Sequence, residues 1–238
     1  MDRRRIIISC EHAGNKVPTQ FRFLFKGKES VLQSHLGWDP GAFSVARSLA
    51  DALKVRLFHQ DYSRLLIECN RSLDNPELFS KYSTGLNDMV KDYLIRKYYL
   101  SYRKKVERAI GKILDKGKPV LHLSIHSFTP ALNGTKRKAD LGLLYDPDRR
   151  SEEDFSVHLK NELEILSPNL LVKFNYPYLG TDDGFTTYLR TKFPDDSYAG
   201  IEIEVNQNMT AWPARKKIQR ILTECIRKMY FEVTHELN

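Results

Sequence analysis

Apolar positions along the chain fall into short β-branched runs, at 4–10, 55–59, 65–70, 119–128, 141–145, 170–178 and 199–205. Between several of them lie stretches in which apolar residues return every three to four positions, at 39–54, 87–117, 151–166 and 210–237. The first pattern predicts strands and the second amphipathic helices. Strands alternating with helices predict an α/β fold, with a mostly parallel or mixed central sheet covered by helices on both faces. No internal repeat, low-complexity segment or linker rich in Pro, Gly or Ser divides the chain, so residues 1–238 are expected to form one domain.

Composition narrows the class. A chain of 238 residues with 41% hydrophobic and 29% charged residues can bury one sizeable core. No apolar window is long enough to span a membrane, and the basic start "MDRRRIIISC" leads into too short an apolar run for a secretion signal. Cys10, Cys69 and Cys225 are widely spaced and odd in number, which fits reduced thiols and a cytoplasmic location. The formal charge of +8 is compatible with nucleic acid, an anionic surface or an acidic small molecule. The basic residues of 87–117 interleave with tyrosines and leucines, as on an exposed amphipathic face, and no known nucleic-acid-binding spacing is present. The expected partner is therefore a small molecule, with no nucleic acid or membrane; the oligomeric state is left open.

In open α/β sheets, ligands bind beyond the carboxyl ends of the strands. Four predicted strands stop on reactive groups: Glu11-His12 in "IIISCEHAGN", Asn70-Arg71 in "LLIECNRSLDN", His126 in "VLHLSIHSFTP" and Glu204 in "IEIEVNQNM". Two imidazoles, a carboxylate and a guanidinium at one sheet edge are the parts of a metal-assisted hydrolase for an acidic substrate. Each alone reads more simply as a hydrogen-bonded structural residue, so it is the coincidence that points to chemistry. His122 and His126 share a strand face but lie about 13 Å apart, too far for one metal. His126 leads into the following loop and is preferred, which leaves His122 as a core histidine. By the same reasoning Glu204 is nearer the strand end than Glu202. Arg71 could be a surface ion-pair partner, although its planar fork suits a carboxylate.

The segments "SCEHAGNKVP", "HLGWDPGA", "ECNRSLDNP", "HLSIHSFTPALNGTKR", "NYPYLGTDDGFTTYL" and "IEIEVNQNM" run in order from Ser9 to Met209. Together they resemble the signature segments of the N-formylglutamate amidohydrolase family. The resemblance implies a three-layer α/β/α hydrolase, phosphorylase/hydrolase-like in its sheet. It is related in architecture to the zinc carboxypeptidases and to the succinylglutamate desuccinylase and aspartoacylase group. It also implies zinc, or another divalent metal, on His12 and His126, an Asn70-Arg71 pair for a substrate carboxylate, and Glu204 as the base that activates water. The relatives carry a carboxylate ligand three residues after the first histidine, where this chain has Asn15. Asp39 in "HLGWDPGA" is the expected replacement, with Glu11 as the alternative; Asp39 before Pro40 also reads as a helix N-cap followed by a first-turn proline.

The expected reaction is hydrolysis of the amide bond of an N-acyl amino acid, N-formylglutamate or a similar acidic one. Arg137 is a second candidate for substrate carboxylates, Gly184 is expected to let substrate approach, and Gly14 to let the first loop turn close to the metal. A competing enzyme reading makes Cys10 the nucleophile beside His12. A non-enzymatic one makes the chain a basic nucleic-acid-binding or interaction protein on the same scaffold.

Overall fold

The computed structural model describes residues 4–232. Its strands are β1 (Arg5–Cys10), β2 (Arg56–His59), β3 (Val120–Phe128), β4 (Ala131–Leu132), β5 (Thr135–Lys136), β6 (Leu141–Leu144), β7 (Val172–Phe174) and β8 (Tyr198–Asn206). Six of these form a sheet in the order β2-β1-β3-β8-β6-β7, while β4 and β5 make a separate two-stranded hairpin. Pairing is parallel throughout the larger sheet except between β6 and β8. The mixed sheet and its helical layers match the fold class expected from the sequence.

Alternation within the central strands decides what each face carries. Leu121, Leu123 and Ile125 of β3 and Ile201, Ile203 and Val205 of β8 join one apolar cluster with residues of α2 (Ala42–Leu53), which follows the short α1 (Glu29–Gln33), and of α5 (Arg150–Leu166) and α8 (Ala214–Arg227). The opposite face carries His122, Ser124 and His126 on β3, with Glu202 and Glu204 beside them on β8. That face lies under α3 (Asp88–Leu94), a π-helical turn at Ile95–Leu100, α4 (Ser101–Leu114) and α6 (Phe185–Arg190). Most polar side chains buried there satisfy one another, as His122 does with Tyr198 and Ser124 with Glu11.

Several expected elements differ. Residues 65–70 turn instead of extending: the Ser63 hydroxyl accepts from the Leu65 N–H at 3.2 Å and the Glu68 carboxylate from the Asn70 N–H at 2.9 Å. These local bonds compete with a strand ladder, and Leu66, Ile67 and Cys69 bury themselves without one. The 170–178 run keeps only β7, because Asn175 adopts a left-handed backbone at φ 46°. The 210–237 stretch breaks at Trp212-Pro213: Thr210 ends the short helix α7 (Gln207–Thr210) and α8 starts at Ala214, while the end at 233–237 lies outside the described residues. The basic face of 87–117 is not wholly exposed, since Arg103 is buried and donates to the Cys69 and Arg71 carbonyls at 3.2 and 2.8 Å. No helix among the described residues is long and apolar enough to cross a membrane.

Gly142 on β6 sits opposite Glu204, where a Cβ would come 1.8 Å from the Tyr176 carbonyl oxygen and 3.3 Å from Glu204 Cβ. Gly142→Ala should therefore cost about 1–3 kcal/mol or more through forced backbone displacement, read as a lower denaturant midpoint. Unchanged stability would mean that the β6 and 176–177 segments do not pack as described.

Candidate active site

The carboxyl ends of β1, β3 and β8 open onto a cleft lined by His12, Asp39, Arg64, Glu68, Asn70, Arg71, His126, Gly184, Glu202 and Glu204, among others. At its floor His12, Asp39 and His126, all buried, each offer a ligand atom within 4.8 Å of the others. Asp39 Oδ2 lies 3.0 Å from His126 Nδ1 and 3.4 Å from His12 Nδ1. Each imidazole is held from behind by a different carboxylate: His12 Nε2 is 2.5 Å from Glu68 Oε1, and His126 Nε2 is 3.2 Å from Glu11 Oε2. The Nε2 atoms thus meet Glu68 and Glu11, and both Nδ1 atoms face Asp39. Carboxylate–histidine pairs of this kind orient metal-binding imidazoles and fix their tautomers.

Local chain geometry explains the convergence. The Asp39 N–H donates to the His12 carbonyl at 3.0 Å, and the Ser127 N–H donates to Asp39 Oδ2 at 3.2 Å, which pins the 37–41 loop to the ends of β1 and β3. Asp39 is not a helix cap. Gly41, at φ 83°, takes the N-cap position of α2, and no side chain caps that helix. Glu11, in the turn that follows β1, faces inward and accepts from Tyr102 Oη at 2.7 Å and Ser124 Oγ at 2.5 Å. Hydrogen bonding and charge from His126 and Ser124 overcome burial and hold the Glu11 carboxyl well below the usual carboxylate range.

Glu204 is 5% exposed, and its Oε2 is buried with no hydrogen-bond partner among the described residues. Burial, helped by the Asp39 and Glu202 charges and opposed by His126, pushes its pKa up to about 8. Such an orphaned oxygen is costly unless a ligand or a proton satisfies it. Burial pushes Asp39 upward as well, against its bonds from His126 and Ser127.

Two residues that sequence reasoning missed complete the cluster. The Arg64 guanidinium contacts His12 Nδ1 through Nη2 and Asp39 Oδ1 at 2.9 Å, and its Nε lies 3.4 Å from Glu68 Oε2. Glu68 orients His12 from the run expected to be a strand. The polar pair at i and i+4 in "RLLIE" marks a local turn better than a ladder, and was the available signal.

The other expected residues are mostly here. Asn70 Oδ1 accepts from the Phe185 N–H at 2.8 Å, and Arg71 Nη1 donates to the Asp183 carbonyl. They stand on a loop, not a strand end, held by Arg103 and by Tyr99, whose hydroxyl donates to the Arg71 carbonyl at 2.7 Å. Gly184 lines the cleft, whereas Arg137 does not; it reaches Tyr178 Oη, which does, at 3.2 Å. Gly14 serves a different contact from the one expected, because a Cβ there would meet the Asp61 carbonyl oxygen at 2.5 Å. His122 is a core histidine, 2.7 Å from Ser9 Oγ and 2.8 Å from Tyr198 Oη, and burial lowers its pKa to about 4. Cys10 is fully buried, and burial with the nearby Glu11 and Asp39 charges raises its pKa well above that of a free thiol, which argues against a nucleophile.

A mixed-sheet layered fold whose cleft gathers His12 and His126, Arg64 and Arg71, and the carboxylates of Asp39, Glu68, Glu202 and Glu204 has the parts of a hydrolytic enzyme acting on acyl bonds. The chain is a member of the N-formylglutamate amidohydrolase family, whose model matches residues 4–211. It is also similar to the crystal structure of an Agrobacterium tumefaciens gene product, with 26% identity over 96% of this chain and 92% of that one, at a TM-score of 0.79. It shares its fold with an N-formylglutamate amidohydrolase from Ralstonia eutropha, with 18% identity over 98% of this chain and 95% of that one, at a TM-score of 0.70. No curated protein matches the chain.

The two histidines of β3 should separate cleanly on substitution. His126→Ala is expected to lose divalent-metal binding, measured by competition with a chromophoric chelator. His122→Ala should keep it while losing about 1–3 kcal/mol of stability, since Ser9 and Tyr198 are left without their partner. Equal metal loss in both would contradict the placement.

Proposed function

We propose that the protein is a zinc-dependent amidohydrolase that cleaves the amide bond of an N-acyl amino acid, N-formylglutamate or a similar acidic one. The observation that carries this reading is the pair of Nδ1 atoms converging on Asp39 Oδ2 beside the unpartnered Glu204 oxygen. The residues fit a metal on their own chemistry: two imidazoles with their outer nitrogens already engaged, a carboxylate, and a cluster of buried acids that Arg64 bridges at Asp39 and Glu68. His12, Asp39 and His126 would hold zinc, and other divalent cations suit the same donors less closely. Zinc bound there supplies Lewis acidity toward an acyl oxygen and makes water a stronger acid.

The chain's own residues supply the rest. Glu204 Oε2 takes a proton from the attacking water and passes it to the leaving nitrogen, a role suited to a carboxylate kept basic by burial. Arg64 offers N–H donors beside the ligands, where negative charge grows on the acyl oxygen. Arg71 is anchored through Nη1 on Asp183, and the rest of its fork, with Asn70, receives a substrate carboxylate. Arg137, behind Tyr178, suits a second carboxylate at the rim. The family match over residues 4–211 supports reading 1–238 as one catalytic domain, and three buried free cysteines support a reducing compartment such as the cytoplasm.

Release of formate from N-formylglutamate by the purified protein tests the reading. Activity should fall away with a chelator and return with zinc. Full activity without metal, or inactivation by a thiol alkylator alone, would overturn it. Glu204→Gln should keep metal and substrate affinity yet lower kcat by on the order of a hundredfold or more. Arg71→Lys keeps the charge but not the planar fork, so KM should rise for substrates with a free carboxylate and change little for a carboxamide analogue. An equal rise for both would remove the carboxylate clamp from the account.

A further inference from the structure

One buried acid in the cleft has no part in the chemistry above. Glu202 lies two residues before Glu204 on the same face of β8, is 9% exposed and lines the cleft. Its Oε1 accepts from Thr186 Oγ1 at 2.5 Å, and no described residue hydrogen-bonds its Oε2. Asn70 is arranged in the same way. Its Oδ1 is taken by the Phe185 N–H at 2.8 Å, and its Nδ2 has no protein partner among the described residues. The start of α6 thus fixes one atom of each side chain and leaves the other for a ligand. Gly184 keeps the space between them open, since a Cβ there would sit 3.2 Å from Glu202 Oε1 and 3.7 Å from Asn70 Oδ1.

The donors of Asn70 and Arg71 form an anion clamp, and a carboxylate with a spare oxygen stands beside it. A ligand that brought only negative charge would meet Glu202 as an unpaired buried neighbour, which is expensive; one that also brings an N–H donor satisfies it. In an α-amino acid the nitrogen and the carboxylate share one carbon, which puts the nitrogen within about 3 Å of a carboxylate oxygen. A carboxylate held by Asn70 and Arg71 therefore carries its α-nitrogen to the edge of the clamp, where Glu202 is the available acceptor.

We infer that Glu202 is a specificity-determining residue that receives the nitrogen of the amino-acid half of the substrate. This rests on the amidohydrolase reading and adds which end of the substrate enters first and what marks it. Before cleavage Glu202 Oε2 accepts the N–H of the scissile amide. Hydrolysis adds one water across the bond, giving a carboxylate from the acyl half and an ammonium from the amino half, and Glu202 pairs with that ammonium. The cleft then selects N-acyl derivatives of primary α-amino acids. It disfavours esters and N-alkylated amides, which have no N–H to offer.

Calorimetric binding of L-glutamate and glutarate to the zinc-loaded protein tests this, because glutarate is the same chain without the amino group. The wild type should prefer glutamate by tenfold or more. Glu202→Gln, which replaces the receiving carboxylate with a neutral amide, should erase the preference by weakening glutamate while glutarate affinity holds or rises, since neither carboxylate contact is touched and the buried charge facing glutarate is gone. Glu202→Asp should restore part of it. No preference in the wild type, equal weakening of both ligands by Glu202→Gln, or no rescue by aspartate would each overturn the inference. Absence of N-formylglutamate hydrolysis by the wild type would instead sink the amidohydrolase reading, whatever the binding preference.

Discussion

Parallel pairing of β3 with β8, in a register that sets His126 beside Glu204 and Ser124 beside Glu202, is the constraint on which the site depends. Both strands are buried along their whole length, yet over 121–126 and 201–205 they alternate: apolar residues go to one face and histidine, serine or glutamate to the other. A register shift of one residue would send every one of those polar groups into the apolar cluster beneath α2, α5 and α8. Hydrophobic patterning that fixes the fold therefore also fixes which functional side chains meet.

Charge compensation then shapes the cleft. Glu11, Asp39, Glu68, Glu202 and Glu204 approach one another closely, against the cationic Arg64 and Arg71 and the two imidazoles. Burial of so many acids is tolerable only where each has donors or a cation to face. Glu11 and Glu68 are spent on the histidine Nε2 atoms, Asp39 is shared by both Nδ1 atoms and Arg64, and the surplus remains on Glu202 and Glu204. That distribution separates the acids already engaged by protein groups from those with an oxygen left for what enters.

Much of this was legible from the sequence where residues sit at strand ends. His12, His126 and Glu204 were readable from the runs that precede them, and "VLHLSIHSF" shows its alternation openly. The choice between Asp39 and Glu11 was not, because it turns on the 37–41 loop reaching across to β3, a contact separated by 87 positions between Asp39 and His126. The turn at 65–70 was misread because its apolar residues are as buried as those of a strand; what differs is local bonding by Ser63 and Glu68, which hydropathy does not register. Arg64 and Glu68 were lost with it.

The central claim is that one metal lies between His12, Asp39 and His126, with Glu11 and Glu68 behind the ligands. Anomalous diffraction at the zinc edge from crystals of the zinc-loaded protein tests it most directly. The account predicts a single strong peak bonded to both Nδ1 atoms and to Asp39. A peak bonded to Glu11 or to either Nε2, or no peak between these residues, would contradict it.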